Sequence, residues 1–149
     1  MRAVVQRVCS AEVSVGGEVE CQMGEGLLAF VGVGRADSAE SAVALAQRIV
    51  HLRIFGDEND RMNRSLLDTG GILGVVSQFT LYGDARHGRR PSFVAACAAD
   101  EAAPLIEAVV DAARTLGVPV VTGRFQAAME VSLVNSGPVT ILLDTEKLF

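Results

Sequence analysis

The sequence feature that most constrains this chain is a β-strand pattern near its C-terminus that Asn-Ser-Gly-Pro interrupts. Apolar residues alternate with others over 129–134, and 139–143 is a short apolar run; both patterns are typical of strands. Between them, Gly137 can adopt backbone angles closed to other residues, while Pro138 fixes its own φ and has no N–H. The segment is either a hairpin connection or a rigid loop whose carbonyl groups are directed at a ligand.

Length and composition predict a single domain, residues 1–149. A chain of 149 residues buries about two thirds of its unfolded surface, and 50% of its residues are hydrophobic while 21% are charged. No apolar run approaches the roughly 20 residues that span a bilayer, and the first residues lack the apolar core of a signal peptide. The net charge of −5 argues against broad affinity for nucleic acid, although it leaves room for a local basic patch.

The cysteines and histidines indicate a reducing compartment and no metal site. Cys9, Cys21 and Cys97 are odd in number and form no C-x-x-C pair, which argues against a disulfide framework or a zinc site. His51 and His87 are the only histidines, and His51 has no second ligand at metal-binding spacing. We therefore expect a cytoplasmic protein without a metal or a cofactor.

Periodicity predicts many short strands. They cover residues 3–15, 18–23, 27–33, 53–55, 72–81, 118–122, 127–134 and 138–143. Gly16 and Gly17 form a good two-residue hairpin turn between the first two strands. The continuous apolar run at 27–33 is typical of a central strand buried on both faces.

Two helices separate these strands. The first is predicted to begin at an Asp37 cap, with Glu40 as the capping-box partner. The second runs from near Asp100 to a left-handed Gly117, with Pro104 near its first turn. These elements predict an α+β fold with mostly antiparallel or mixed sheets in two layers. The two main helices are expected to pack on one face.

A second unusual segment, Ser77-Gln78-Phe79-Thr80, places hydrogen-bonding side chains at the end of the predicted strand 72–81. On a strand, Gln78 and Thr80 share one face, and Ser77 and Phe79 share the other. The strand either emerges into solvent or forms the floor of a pocket whose backbone N–H groups hold an oxyanion. Thr80 is a candidate nucleophile, but no base lies near it in sequence.

Together these segments resemble the D-aminoacyl-tRNA deacylase family. The motifs VVQRV, DTGG, VVSQFTLYGD, GRRPSF, TGRF and MEVSLVNSGPVT occur in the order and spacing of that family. The similarity runs nearly end to end, and SQFTLY together with NSGPVT is highly specific. Two positions depart from the pattern: Ser136 stands where the family usually has an acidic residue, and Ala128 where an acidic residue commonly precedes Met129.

The resemblance implies a homodimer that hydrolyses the ester between a D-amino acid and the terminal adenosine of tRNA. It implies a cis bond between Gly137 and Pro138, whose carbonyls would receive the substrate's α-ammonium in the partner subunit's active site. An L side chain would be excluded there by steric overlap. Glycine has no side chain to exclude, so glycyl-tRNA is implied as a second substrate. Arg7 resembles the residue that holds this loop. Phe125 and Met129 would line the edge of the pocket.

The resemblance and the lack of a side-chain base favour attack by water on the ester. N–H groups near Phe79 and Thr80 would hold the oxyanion, and the neighbouring ribose hydroxyl would assist. Ser77 and Gln78 would complete the pocket. Thr80 as a covalent nucleophile is the alternative. The implied partners are aminoacyl-tRNA and a second copy of the chain, with no membrane.

A cluster of basic residues follows the SQFTLY segment. It consists of Arg86, His87, Arg89 and Arg90. The cluster is either a solvated loop, with Arg89 or Arg90 paired internally, or a contact for the phosphates of the tRNA acceptor stem.

Two other classes of function stay open from the sequence. One is a nucleic-acid-binding module without catalysis, because members resembling this family have been given roles at DNA. The other is a hydrolase or deaminase that acts on a small metabolite. Loss of the ester from D- but not L-aminoacyl-tRNA would separate the deacylase from both.

Overall fold

The computed structural model describes residues 1–148. Within them the strands are β1 (Arg2–Val15), β2 (Glu18–Met23), β3 (Gly26–Gly32), β4 (Phe55–Gly56), β5 (Met62–Arg64), β6 (Ile72–Ser77), β7 (Val120–Thr122) and β8 (Glu130–Asp144). The α-helices are α1 (Ala39–Val50), α2 (Leu66–Thr69) and α3 (Ala99–Thr115), and a 3-10 helix covers Phe79–Tyr82. Both main helices that the sequence predicts are present.

β1 is the strand around which the main sheet is built. β8 pairs with it antiparallel along almost its whole length, starting from the pair Arg2 and Asp144. β3 pairs with the first half of β1 and β2 with the second half. The β1–β2 hairpin turns through Gly16 and Gly17, whose φ angles of 60° and 84° are open mainly to glycine, as predicted.

The other side of the sheet is parallel. β3 lies between β1 and β6, and β6 pairs in parallel with both β3 and β7. All but one of the β3 residues are buried, which confirms the prediction of a buried central strand. The sheet is therefore mixed, as expected.

α1 and α3 contact each other and cover one face of this sheet. Their fully or almost fully buried residues are Ala42, Leu45, Ala46, Ile49 and Val50 in α1, and Ala102, Val109, Val110 and Ala113 in α3. These side chains form one core with sheet residues such as Val5, Leu27 and Leu73. The predicted α+β class, with the two main helices on one face, is confirmed.

The predicted cap of α1 was wrong, because the helix is capped by Ser38 and not by Asp37. The N–H of Ser38 donates to Oγ of Ser41 at 3.3 Å, so Ser41 takes the capping-box position expected of Glu40. Asp37 has another partner: its carboxylate accepts a hydrogen bond from the buried α-ammonium of Met1. A buried ammonium needs a paired carboxylate, and this contact takes Asp37 away from the helix end.

Pro104 lies inside α3 and not near its first turn, so that prediction was also wrong. The helix begins at Ala99, which makes Pro104 its sixth residue. At that position proline removes the hydrogen bond to the carbonyl four residues earlier. The C-terminal end of α3 lies where it was predicted. The helix ends at Thr115, and Gly117 follows with a left-handed φ of 90°.

Candidate active site

An open pocket of about 650 Å³ lies where β6 ends, beside the first turns of α3. Ser77, Gln78 and Phe79 contribute one part of its wall, and Phe125 and Met129 another. The rest of the lining is mostly apolar and includes Val31, Val33, Cys97, Ala102, Ile106 and Val131. Five of the predicted site residues therefore surround one cavity whose size is typical of a small-molecule site.

The chain beside this pocket is a 3-10 helix, not the continuous strand that the sequence predicted. β6 stops at Ser77, and Phe79–Tyr82 is one turn, in which the N–H of Leu81 donates to the Gln78 carbonyl at 3.3 Å. The predicted division of side chains between two faces is wrong, because it assumed the two-residue period of a strand. Gln78 and Thr80 do meet, since the Gln78 side-chain amide donates to the Thr80 hydroxyl.

This turn provides main-chain hydrogen-bond donors. Each N–H of a 3-10 helix bonds three residues back, so those of Phe79 and Thr80 have no partner within the helix. The N–H of Gln78 already donates to the Val31 carbonyl at 2.7 Å. The Thr80 side chain is exposed and does not line the pocket. None of the described residues that line the pocket carries a carboxylate or an imidazole.

Tyr82 anchors the far end of the 3-10 helix. Its hydroxyl donates to Oδ2 of Asp37 at 3.2 Å, and the Arg2 guanidinium lies 4.5 Å from the centre of its ring. Burial and the Asp37 carboxylate raise the pKa of Tyr82, so the hydroxyl remains a donor. Sequence reasoning missed this anchor, because only the fold brings Asp37 and Tyr82 together.

Phe79 and Phe93 form an aromatic pair at the edge of the pocket. Phe79 is 58% exposed, and the two ring centroids lie 5.1 Å apart in an edge-to-face arrangement. Phe93 is the last residue of the GRRPSF motif, yet no role for it followed from the sequence. The pair connects the pocket to the end of the loop that carries Arg86, His87, Arg89 and Arg90, called the basic loop below.

The basic loop starts and ends next to this aromatic pair. Asp84 and Ser92 close it with main-chain hydrogen bonds of 2.8 and 2.9 Å. Arg86 binds the Asp84 carboxylate at 2.6 Å, and this contact lowers the pKa of Asp84. An ion pair within the loop was expected for Arg89 or Arg90. In the structure it is Arg86 that forms one. Arg89 and Arg90 are exposed.

The Asn-Ser-Gly-Pro segment is a bulge inside one strand, so the hairpin interpretation is wrong. While β1 advances from Gln6 to Val8, the paired residues of β8 move from Thr140 to Asn135. Arg7 alone therefore faces the four residues between them. The two arms of a hairpin pair with each other, whereas here both arms pair with β1, and the extra residues leave the ladder.

Gly137 and Pro138 form the tip of this bulge. Their peptide bond is cis, as the resemblance implies, and the φ of Gly137 is 138°, a value open mainly to glycine. Arg7 binds the start of the bulge, since its Nε donates to the Ser136 carbonyl at 3.0 Å and its Nη1 donates to the Ile54 carbonyl. The contact expected between Arg7 and this loop is present.

Within one chain, the tip of the bulge is not part of the pocket. Gly137 and Pro138 are both exposed, and neither is among the residues that line the cavity. The pocket of a single chain therefore lacks the glycine–proline wall that the resemblance implies.

Comparison with known proteins identifies the family. The sequence model of the D-Tyr-tRNA(Tyr) deacylase family matches residues 4–144. The chain belongs to this family. Its predicted place among the D-aminoacyl-tRNA deacylases, a family of hydrolases, is confirmed.

Bacterial deacylases resemble the chain over their whole length. The D-aminoacyl-tRNA deacylase of Symbiobacterium thermophilum is 54% identical over 149 residues, which cover 100% of this chain and 99% of that protein. The D-aminoacyl-tRNA deacylase of a Roseiflexus species is 58% identical over 145 residues, which cover 97% of this chain and 94% of that protein.

Two solved structures resemble this deacylase chain. One is described as a c-Myc DNA unwinding element binding protein; its TM-score is 0.92 at 34% identity, covering 97% of this chain and 99% of that chain. The other is described as a probable eukaryotic D-amino acid tRNA deacylase, with a TM-score of 0.82 at 18% identity, covering 95% and 97%. At that identity, the second structure supports the fold alone.

The two departures from the deacylase pattern lie in different surroundings. Ser136 offers its main-chain carbonyl to Arg7, and this contact does not depend on the side chain. Ala128 is one of the pocket-lining residues, so its small side chain leaves space that an acidic residue would fill.

Elsewhere in this deacylase, the histidine at the end of α1 has a local partner. Nδ1 of His51 lies 2.8 Å from the Gln47 carbonyl one turn earlier. Among residues 1–148, no group of three or more His, Cys, Asp and Glu could hold a metal ion. No helix in that part of the chain combines the length and apolarity needed to cross a bilayer.

Proposed function

We propose that the chain, as one deacylase domain of residues 1–149, hydrolyses the ester bond of D-aminoacyl-tRNA and of mischarged glycyl-tRNA. This reaction is a proofreading step of translation and takes place in the cytoplasm. The observation that carries the proposal is the pocket of about 650 Å³ beside the SQFT segment, in a chain that belongs to the deacylase family. Its apolar lining suits the aminoacyl-adenosine end of a tRNA.

Main-chain groups stabilise the charge that develops on the ester carbonyl. The N–H groups of Phe79 and Thr80 have no partner within the 3-10 helix, and they act as the oxyanion donors. Water attacks the ester, and the neighbouring ribose hydroxyl assists. This route needs no side-chain base, and none of the described residues lining the pocket carries a carboxylate or an imidazole.

Thr80 as covalent nucleophile is the alternative mechanism. A threonine nucleophile needs a base that takes its proton. The Thr80 hydroxyl instead accepts a hydrogen bond from the Gln78 side-chain amide, and an amide N–H is a donor that takes no proton. This contact favours the route through water.

The glycine–proline pair distinguishes D- from L-amino acids in the substrate. The main-chain carbonyls of Gly137 and Pro138 accept hydrogen bonds from the substrate's α-ammonium, and the tip leaves no space for an L side chain. Glycine has no side chain to reject, so glycyl-tRNA is accepted. Arg7 supports this role, because it binds the Ser136 carbonyl at the start of the bulge.

The active site forms between the two subunits of a homodimer. Gly137 and Pro138 are exposed and do not line the pocket of their own chain, which favours their use by a second copy. In the dimer, the tip from one subunit meets Ser77, Gln78 and Phe79 of the other. Phe125 and Met129 are then placed at the edge of the shared site.

The basic loop contacts the phosphates of the acceptor stem. Arg89 and Arg90 are exposed, and the loop is tied to the pocket edge through Phe93 and Phe79. Arg86 keeps most of its side chain in solvent although it binds Asp84. Such contacts add affinity without reading the sequence of the RNA.

A nucleic-acid-binding module without catalysis is the second candidate. It is favoured by the structure described as a c-Myc DNA unwinding element binding protein, which is 34% identical to this chain. The net charge of −5 weighs against extended DNA binding.

Loss of the ester distinguishes these candidates. The protein is incubated with D- and L-aminoacyl-tRNA of one amino acid and with glycyl-tRNA, and the remaining ester is followed over time. We expect rapid loss of the D and glycyl esters and little loss of the L ester. Loss of no ester would support the binding module, and equal loss of D and L would indicate an unselective esterase.

A further inference from the structure

Asn135 closes the bulge of β8 with both ends of its side-chain amide. Its Oδ1 accepts a hydrogen bond from the Val139 N–H at 2.7 Å, and its Nδ2 donates to the Val139 carbonyl at 3.0 Å. The main-chain N–H and C=O of one residue of β8 are thus bound by the two ends of one side-chain amide. Asn135 replaces the strand neighbour that β1 cannot supply, because Arg7 alone faces the extra residues.

This contact completes a clamp on the tip. Arg7 binds the carbonyl of Ser136 on one side of the tip, and Asn135 binds Val139 on the other. Val139 is only 6% exposed, so its end of the bulge is also held by packing. The two anchors come from different strands and leave Gly137 and Pro138 exposed between them.

The tip is also closely packed from within. A Cβ added at Gly137 would lie 2.7 Å from Cγ2 of Val139 and 3.0 Å from Nη2 of Arg7. A shift of Val139 would therefore change the space around Gly137 directly. The position of the two tip carbonyls depends on where Asn135 holds Val139.

We infer that Asn135 is a positioning residue for substrate handedness: its amide fixes Val139 and thereby the carbonyls of Gly137 and Pro138. The inference rests on the proposed function, in which these carbonyls bind the α-ammonium and exclude L side chains. When the amide is removed, the tip gains freedom, the ammonium of the D substrate is held less well, and an L side chain is admitted.

The test compares the kcat/KM values for D- and L-aminoacyl-tRNA of one amino acid in four proteins. These are the native chain, Asn135→Ala, Asn135→Asp, and Asn59→Ala as the matched control at an exposed asparagine in the β4–β5 turn. Partial unfolding lowers both values by the same factor, so the D-to-L ratio reports on the site and not on the folded fraction.

We expect the D-to-L ratio to fall by at least about tenfold in Asn135→Ala, a loss typical of a displaced binding group. In Asn135→Asp the carboxylate keeps the acceptor for the Val139 N–H but loses the donor to the Val139 carbonyl, so an intermediate ratio is expected. Asn59→Ala should match the native chain.

Two outcomes contradict the inference in different ways. A native chain without preference for the D ester would overturn the proposed function, and this inference with it. A selective native chain whose ratio stays within about twofold in both Asn135 variants would overturn the role of Asn135 alone. If Asn135→Ala does not fold, the same criterion applies to Asn135→Asp, which retains one of the two hydrogen bonds.

Discussion

At the scale of single residues, Thr80 separates the two mechanisms. If main-chain N–H groups and the ribose hydroxyl do the work, Thr80→Ala removes only a hydroxyl that accepts from the Gln78 amide. We then expect single-turnover deacylation of D-aminoacyl-tRNA to slow by less than about a hundredfold. The matched control is Thr115→Ala, at an exposed threonine whose hydroxyl donates to its own helix. A loss of more than about a thousandfold would support a covalent Thr80.

The residues with a distinctive motif could be predicted, and those that act through a distant partner could not. Ser77, Gln78, Phe79 and Thr80 were expected to form the pocket. The first three line it, whereas Thr80 is exposed and does not. Tyr82 escaped prediction because its partner Asp37 is distant in sequence and was assigned to a helix cap. Asn135 was visible in the NSGPVT motif, but its role depends on a register shift that no local pattern shows.

At the scale of elements, periodicity predicted which segments are strands but not how they pair. The two apolar segments around Asn-Ser-Gly-Pro are indeed extended, yet both pair with β1 and form one strand. Local sequence contains the turn-forming residues of a hairpin and of a bulge alike. The same limit applies after Ser77, where a 3-10 helix replaces the last part of the predicted strand 72–81. Over so few residues, periodicity does not distinguish the two.

The close approach of β3 and β6 can be tested by substituting a glycine where they meet. A Cβ added at Gly26 would lie 1.9 Å from the carbonyl oxygen of Ile72, whereas at Gly24 nothing lies within 4 Å. Gly26→Ala must therefore push backbone apart, and we expect it to lower the free energy of unfolding by about 3 kcal/mol or more. Gly24→Ala is the matched control and should stay within about 1 kcal/mol of the native chain. Urea unfolding measures both, and equal midpoints would contradict the close approach.

At the scale of the whole molecule, the α+β class followed from the sequence. The sequence did not show whether a single chain contains every part of the site. Alternating strands and two amphipathic helices are sufficient to predict helices packed on one face of a sheet. Contacts between two copies of a chain are not encoded in any periodicity of its sequence. The structure adds a physical reason to expect a second copy: Gly137 and Pro138 are exposed and do not line the pocket of their own chain.

A shared active site predicts that two inactive variants restore activity when they are combined. Gly137→Val breaks the tip, because even a Cβ at Gly137 meets Val139 and Arg7, and it leaves the pocket intact. Ala128→Trp fills the pocket from its lining and leaves the tip intact. In a mixed dimer, the open pocket of the first variant faces the intact tip of the second, so one of its two sites works.

Random pairing makes about half of the dimers mixed, so we expect co-expression of the two variants to recover about a quarter of the native D-aminoacyl-tRNA deacylation. Different affinity tags on the two chains allow the mixed dimer to be isolated and assayed directly, with each variant alone as the control. A tip that served its own chain would leave every subunit of a mixed dimer with one broken part. An isolated mixed dimer with no more activity than the separate variants would therefore show that the glycine–proline pair does not act across the interface.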